Sequence, residues 1–358
     1  MPTAKSRTQP PKVDELLSLD EIEEVARVRM SHMAYEYVSA AAADEHTLRW
    51  NRESYSRLRL RPRVLRDVGQ VSTRRRLLGS DLPHPIILAP AAYQRLMHKD
   101  GELGTARGAG AAHAIWTVSS CATASVEEIA PHATAPLWFQ IYVQADREFT
   151  KAQIKRAEAA GCKALVLTVD TPTLGARNRQ VRAKFGLPKG VSCPHLQPGA
   201  SESRQIIDPT LTTVTWKDVG WILSFAKVPL LLKGILDAED AEIGVSEGAH
   251  GIIVSNHGAR NLDTVPATID ALPTVIDRVA GRAPVLVDGG IRRGTDILKA
   301  VALGASAVLV GRPYCYGLAA GGADGVRRVV EILLRELEMA MMLAGVPSLD
   351  QVDRSVIW

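Results

Sequence analysis

The chain has 358 residues, 46% of them hydrophobic, and a formal net charge of +4 at pH 7. That length holds one large α/β domain or two small ones, and so mild a positive charge is ordinary surface charge that gives no reason to expect a nucleic-acid partner. The cysteines, Cys121, Cys162, Cys193 and Cys315, form no CxxC pair and no metal-ligand spacing, which excludes a disulfide scaffold and a zinc module and predicts a reduced, cytoplasmic protein with no metal.

In chain order, residues 1–18 read as a flexible polar tail. No apolar h-region follows Met1, so no signal peptide is expected. The last four residues, Ser-Val-Ile-Trp, do not form a peroxisomal address. Residues 19–358 read as one catalytic domain. Within it, 19–39 is a predicted helical stretch ending in Tyr35-Glu36-Tyr37, part of a cap that precedes the first core strand. The arginines at 57, 59, 61 and 63 and the run Arg74-Arg75-Arg76 read as solvated faces of short strands.

Eight β-like runs follow, at 85–90, 114–120, 137–143, 164–170, 229–235, 251–257, 284–290 and 307–313. Most are continuously apolar, as strands buried on both faces should be. Helix-like segments alternate with them at 101–112, 125–130, 147–160, 215–226, 238–248, 266–279, 294–303 and 322–344. Eight βα units in series predict an α/β fold, a (β/α)8 TIM barrel, in preference to a doubly wound sheet. The long connection 177–215 carries Gly, Pro and Ser and reads as a lid loop after strand four. No apolar run approaches transmembrane length, so no membrane partner is expected.

A barrel places its chemistry at the C-terminal ends of its strands. Those ends hold Pro90-Ala91-Ala92, Ser119, Gln140 with Tyr142, Thr168 with Asp170, Lys233, Ser255 with His257, Asp288-Gly289-Gly290, and Gly311-Arg312. The run 255–263 is the most informative: a base, His257, stands three residues before a fixed cation, Arg260, in a turn loosened by Gly258. A base beside an anion clamp suits chemistry next to a carboxylate. Asp170 can orient that histidine or cap its own Thr-Pro turn. Lys233 can face a developing negative charge or snorkel at a strand end. The glycine turns of strands seven and eight, with Arg292 and Arg312, form a barrel phosphate site. They lack a GxGxxG turn, which favours a monophosphate ligand.

These segments, together with Phe139-Gln140-Ile141-Tyr142 and Leu167 to Pro172, resemble the FMN-dependent 2-hydroxy-acid oxidases and dehydrogenases, the glycolate and lactate oxidase group. The resemblance runs from about Asp20 to Arg354. It implies FMN across the barrel mouth. Arg292, Gly311 and Arg312, with the turn Gly289-Gly290, would hold the phosphate, Asp288 the ribityl hydroxyls, and Ala91, Ala92, Ser119, Gln140, Thr168 and Ser255, with Pro90 beside them, the ring. Lys233 would stabilise the reduced cofactor. Arg260, Tyr37 and Arg177 would clamp the substrate carboxylate, Tyr142 would bond the substrate hydroxyl, and His257 would be the base, balanced by Asp170. The products would be a 2-keto acid and, with O2 as acceptor, H2O2. A homotetramer is implied as well.

The resemblance departs at two pocket positions. Cys121 stands where glycolate oxidases carry tryptophan, and Tyr93 stands where they carry methionine. A smaller wall predicts lactate or a bulkier acid over glycolate, unless Tyr93 or a lid residue refills the space. Ala92 is the residue typical of the oxidases, which favours O2. A dehydrogenase or monooxygenase of lactate-like or mandelate-like acids is the alternative within the group, and a phosphate-binding isomerase or a non-catalytic flavin-binding barrel are the alternatives outside it.

Overall fold

The computed structural model describes residues 11–197 and 214–358. Eight parallel strands close into a barrel: Ile86–Leu88, Ile115–Val118, Leu137–Ile141, Ala164–Thr168, Leu230–Ile235, Gly251–Val254, Val285–Asp288 and Ala307–Val310. Each pairs with the next, and the last pairs with the first through Val308 opposite Ile86. All eight lie inside the sequence-predicted runs, because a strand covered on both faces must be apolar throughout.

Alternate residues divide into two cores. Ile87, Ile115, Trp138, Val166, Leu231, Ile253, Leu286 and Leu309 fill the barrel interior. Their neighbours, such as Leu88, Trp116, Ile252 and Val310, pack outward against the helical ring. A short antiparallel hairpin, Arg75–Leu77 with Ser80–Leu82, packs its Leu77 and Leu82 with the interior layer. Arg75 and Arg76 lie on that hairpin, as expected of short strands, whereas Arg57 ends a helix.

The N-terminal region is more structured than its sequence suggests. Val13–Glu15 form a 3-10 turn, and Leu16 is 2% exposed, its carbonyl held by Arg328. The tail is therefore pinned by residue 16; residues 1–10 lie outside the described residues. The predicted helix at 19–39 is two, α1 (Leu19–Arg29) and α2 (His32–Ser39), each begun by a capping serine, Ser18 and Ser31. A third, α3 (His46–Arg57), has no counterpart in the sequence reading. Its start is capped from a distance: the Asp263 carboxylate accepts the N–H groups of Asp44, His46 and Thr47 at 3.1, 3.2 and 2.8 Å.

The last helix starts ten residues early, at Arg312, and runs to Ala344 across a kink at Gly321–Gly322. Pro313 suits a first turn. The helix N-terminus consequently points at the barrel mouth from the end of strand eight. In the expected lid, Asn178–Arg182 form a short helix. The part of that loop from 198 to 213 lies outside the described residues.

Candidate active site

The functional loop starts where strand six stops. His257, Gly258 and Ala259 take left-handed φ values of 57°, 60° and 66°. Two of the three carry a Cβ, so the surroundings must hold them there. Asn256 does this. Its Oδ1 accepts the Ala259 N–H at 3.1 Å and Asn51 Nδ2 at 3.0 Å, and its Nδ2 donates back to Asn51 Oδ1 at 2.8 Å. The unforeseen α3 thus supplies, through Asn51, the clamp that shapes the His257 turn.

His257 Nδ1 stands 2.9 Å from Asp170 Oδ1. An ionised carboxylate only accepts, so Nδ1 carries the proton and Nε2 keeps its lone pair. Burial lowers the His257 pKa below its usual value. Asp170 opposes that fall, while Lys233 and Arg177 add to it. Burial pushes the Asp170 carboxyl up, but His257 and Lys233 outweigh it and hold the group below its ordinary value. The resting pair is a neutral imidazole beside a carboxylate, poised to accept a proton.

Gly234, at the end of strand five, makes room for this pair. It has φ 112°, and a Cβ there would lie 2.5 Å from Asp170 Cβ. Any side chain at 234 would push Asp170 away.

Three guanidinium groups border the cavity next to the histidine. Arg260 Nη1 donates to the carbonyls of Tyr37 and Ala40 at 2.7 and 2.8 Å, and its carbon Cζ sits 5.0 Å from the Tyr37 ring centre. Its Nη2 is buried and has no partner among the described residues. Arg177 and Arg312 are both pushed down to about 10, first by burial and then by Arg260. Crowded, desolvated cations with an unmet donor call for an anion. Burial pushes the Tyr37 phenol up to about 12 and the Tyr142 phenol higher still, so both remain donors near neutral pH.

Across the mouth, Lys233 is 4% exposed, donates to Ser255 Oγ at 2.9 Å and pairs with Asp288 Oδ2 at 3.1 Å. Gln140 Oε1 accepts from Ser119 Oγ, Ser120 N and Ser120 Oγ at 3.2–3.3 Å. That fixes its amide and leaves Nε2 buried with no partner among the described residues, as is Asp288 Oδ1. Gly290, at φ 83°, lies so close to α3 that a Cβ would meet the Asn51 carbonyl at 1.9 Å.

One cavity of about 1190 Å³, part of it open to solvent, joins these groups. It is lined by nearly every residue singled out in the sequence: Tyr37, Cys121, Tyr142, Arg177, His257 and Arg260, the segment 90–92 with Ser119, Gln140, Thr168 and Lys233, and the glycine turns with Asp288, Arg292 and Arg312. Asp170 and Ser255 stand behind it, touching His257 and Lys233. Arg312 donates from Nε, Nη1 and Nη2 to the carbonyls of Val38, Gly258 and Ala40, so it braces the His257–Arg260 turn against α2 as well as bordering the cavity. Val38 and Cys315 also line the space and were not foreseen; they come from α2 and the last helix, where no motif marks them.

Aromatic side chains stand near Cys121 without closing the cavity. Tyr93 (3% exposed) borders the cavity, donates its N–H to the Cys121 carbonyl at 3.1 Å, and lies 5.5 Å from Tyr37. Phe185, from the lid segment, stacks on Tyr37 at 4.6 Å. Burial pushes the Cys121 thiol up to about 11, so it is a neutral wall rather than a nucleophile.

The unmet Gln140 donor and Asp288 acceptor, the glycine cradle at 289–290 and the helix N-terminus at Arg312 suit a flat, polar-edged cofactor carrying hydroxyls and a phosphate. With a histidine–carboxylate pair and a cluster of arginines beside it, the barrel has the features of a flavin oxidoreductase acting on small carboxylic acids.

The comparisons with known proteins agree. The model of the FMN-dependent dehydrogenase family matches residues 26–358, and the chain belongs to that family. It is 44% identical over 353 residues to glycolate oxidase 3 of Arabidopsis thaliana, covering 96% of each chain. It is also 44% identical to a 2-hydroxyacid oxidase of Dictyostelium discoideum, covering 97% of this chain and 91% of that one. A solved structure of mandelate oxidase with (S)-4-hydroxymandelic acid superposes with a TM-score of 0.91 at 40% identity, covering 96% and 98% of the two chains. The protein is an FMN-dependent oxidoreductase that oxidises a 2-hydroxy acid to the keto acid.

One expectation is overturned. A relative 43% identical over 350 residues is named a peroxisomal (S)-2-hydroxyacid oxidase of Arabidopsis thaliana. Unpaired cysteines and the lack of long apolar runs, on which the cytoplasmic assignment rested, are compatible with that compartment too and do not select the cytoplasm.

Proposed function

We propose that the protein is an (S)-2-hydroxy-acid oxidase for an acid bulkier than glycolate, with His257 as its base. The observation that carries this reading is that His257, backed by Asp170, and Arg260, whose Nη2 has no partner among the described residues, line one cavity. The substrate carboxylate binds Arg260 and Arg177, with the Tyr37 phenol as a further donor. That fixes the α-carbon at His257. Tyr142 donates to the substrate hydroxyl. Nε2 of His257 takes a proton, and Asp170 stabilises the imidazolium that results. Whether the α-proton leaves first or the hydroxyl proton leaves with hydride transfer, the histidine ends protonated and the acid ends as a ketone.

When bound, FMN would supply the acceptor for the two electrons, and O2 would take them up with two protons as H2O2. Gln140, Ser119, Thr168 and the segment 90–92 would border its ring, Lys233 its negative charge on reduction, Asp288 its hydroxyls, and Arg292 with the turns at 289–290 and 311–312 its phosphate.

The small Cys121 side chain beside Tyr93 supports an aryl or branched substrate side chain. The mandelate oxidase structures, one of them with benzoyl-formic acid, support the same reading; the glycolate oxidase relatives weigh toward smaller acids. Anaerobic mixing with glycolate, L-lactate and (S)-mandelate decides. The proposal expects the flavin absorbance to bleach fastest with mandelate or lactate and H2O2 to appear on re-aeration. A ranking led by glycolate would overturn the bulky-acid reading. Relatedness also motivates a homotetramer, to be read by light scattering.

A further inference from the structure

We infer that Asn261 is a positioning residue that locks the carboxylate clamp to the base, an assignment that rests on the hydroxy-acid reading above. Asn261 follows Arg260 and is half-buried. Its Nδ2 donates to the Asp170 carbonyl at 2.7 Å and to Thr171 Oγ1 at 2.9 Å. Its Oδ1 accepts from Arg177 Nη2 at 3.3 Å. Thr171 Oγ1 in turn donates to Asp170 Oδ1 at 3.0 Å, the same oxygen that receives His257 Nδ1. One amide therefore grips the turn that carries the histidine's partner with its donor end, and a clamp arginine with its acceptor end.

The backbone shows the same coupling. Arg177 Nε donates to the Arg260 carbonyl at 3.1 Å. Gly175 lies flush on this segment, where a Cβ would sit 2.1 Å from the Asn261 carbonyl oxygen. The two arginines and the Asp170–Thr171 turn thus form one unit with Asn261 at its centre.

The chemistry of the position asks for an amide. Only a neutral group with both donors and an acceptor can meet these partners together. Aspartate would keep an acceptor for Arg177 but turn its second oxygen on the Asp170 carbonyl. It would also cancel the Arg177 charge that the substrate carboxylate needs. A neutral anchor holds the arginine and leaves its charge for the ligand. Leucine fills a similar volume and makes none of the bonds.

Steady-state kinetics of the FMN-loaded wild type, N261L and N261D across pH test this, with FMN content and Tm recorded for each. The charged groups that act most strongly on His257 are Asp170, Lys233 and Arg177. N261L is expected to lower kcat about tenfold and raise KM for the 2-hydroxy acid about tenfold, with FMN still bound, the scale of losing one or two hydrogen bonds to charged or catalytic groups. N261D is expected to raise KM and move the acid limb of kcat/KM to higher pH, since a new negative charge near His257 favours its protonated form. A merely structural residue would lower Tm while leaving the acid limb and KM in place. That result, or values within about twofold of wild type in N261D even if N261L fails to fold, would overturn the inference. A wild type whose flavin no 2-hydroxy acid reduces would overturn the underlying reading, and the role of Asn261 with it.

Discussion

The 2.9 Å bond between His257 Nδ1 and Asp170 Oδ1 decides which nitrogen of the histidine can act. With Nδ1 bound, Nε2 alone is free to take a proton. The two residues are 87 positions apart and meet because strands four and five of the barrel bring Thr168 opposite Lys233, while strand six ends alongside.

Asp170→Asn tests the electrostatic side of that bond. Asp170 works against the burial that depresses the His257 pKa. Removing its charge lets that pKa fall further. The rate of flavin reduction should drop by about 10²-fold or more for want of imidazolium stabilisation, and the acid limb of kcat/KM should move to lower pH. A limb that moves to higher pH contradicts the account.

Gly234→Ala tests the space behind the pair. The new methyl would sit 2.5 Å from Asp170 Cβ on a backbone at φ 112°. A loss of about 1–3 kcal/mol in urea unfolding is expected, together with a lower kcat as Asp170 is displaced. Full activity and unchanged stability would show that Asp170 needs no such clearance.

Much of this was legible in the sequence, for physical reasons. The barrel strands are continuous apolar runs, and a barrel puts strand ends on one face, so His257, Asp170, Lys233 and Asp288 could be placed together before any coordinates. The α3 helix could not be read, because His46–Arg57 is mostly polar and its cap, Asp263, lies more than 200 residues away. The Asn51–Asn256 pair and the need for glycine at 234 are equally invisible, since each is a contact between distant segments. At Cys121, the resemblance to glycolate oxidases implied a smaller wall, but the packing of Phe185 onto Tyr37 and Tyr93, which line the cavity beside it, is a product of folding.

Arg260→Lys should raise KM steeply with FMN retained. Lysine has one donor nitrogen, so it cannot hold the Tyr37 and Ala40 carbonyls where Nη1 does and also place a donor where Nη2 stands. A loss of about 2–4 kcal/mol in kcat/KM, roughly 30- to 1000-fold, is the scale for a desolvated ionic contact. An unchanged KM removes Arg260 from the clamp.

Cys121→Trp should invert the substrate ranking. The indole would occupy the space beside Tyr93, so kcat/KM for (S)-mandelate should fall relative to glycolate. The measurement is the ratio of the two kcat/KM values. An unaltered ratio would mean that the side chain at 121 does not set the size of the acid.

The central claim is that His257 is the base. Single-turnover flavin reduction under anaerobic conditions, wild type against His257→Asn at equal FMN content, tests it most directly. The account predicts rapid bleaching by the preferred 2-hydroxy acid in the wild type and a rate lower by about 10²–10⁴ in the variant, with the same flavin spectrum before mixing. Equal reduction rates in the two proteins would contradict it.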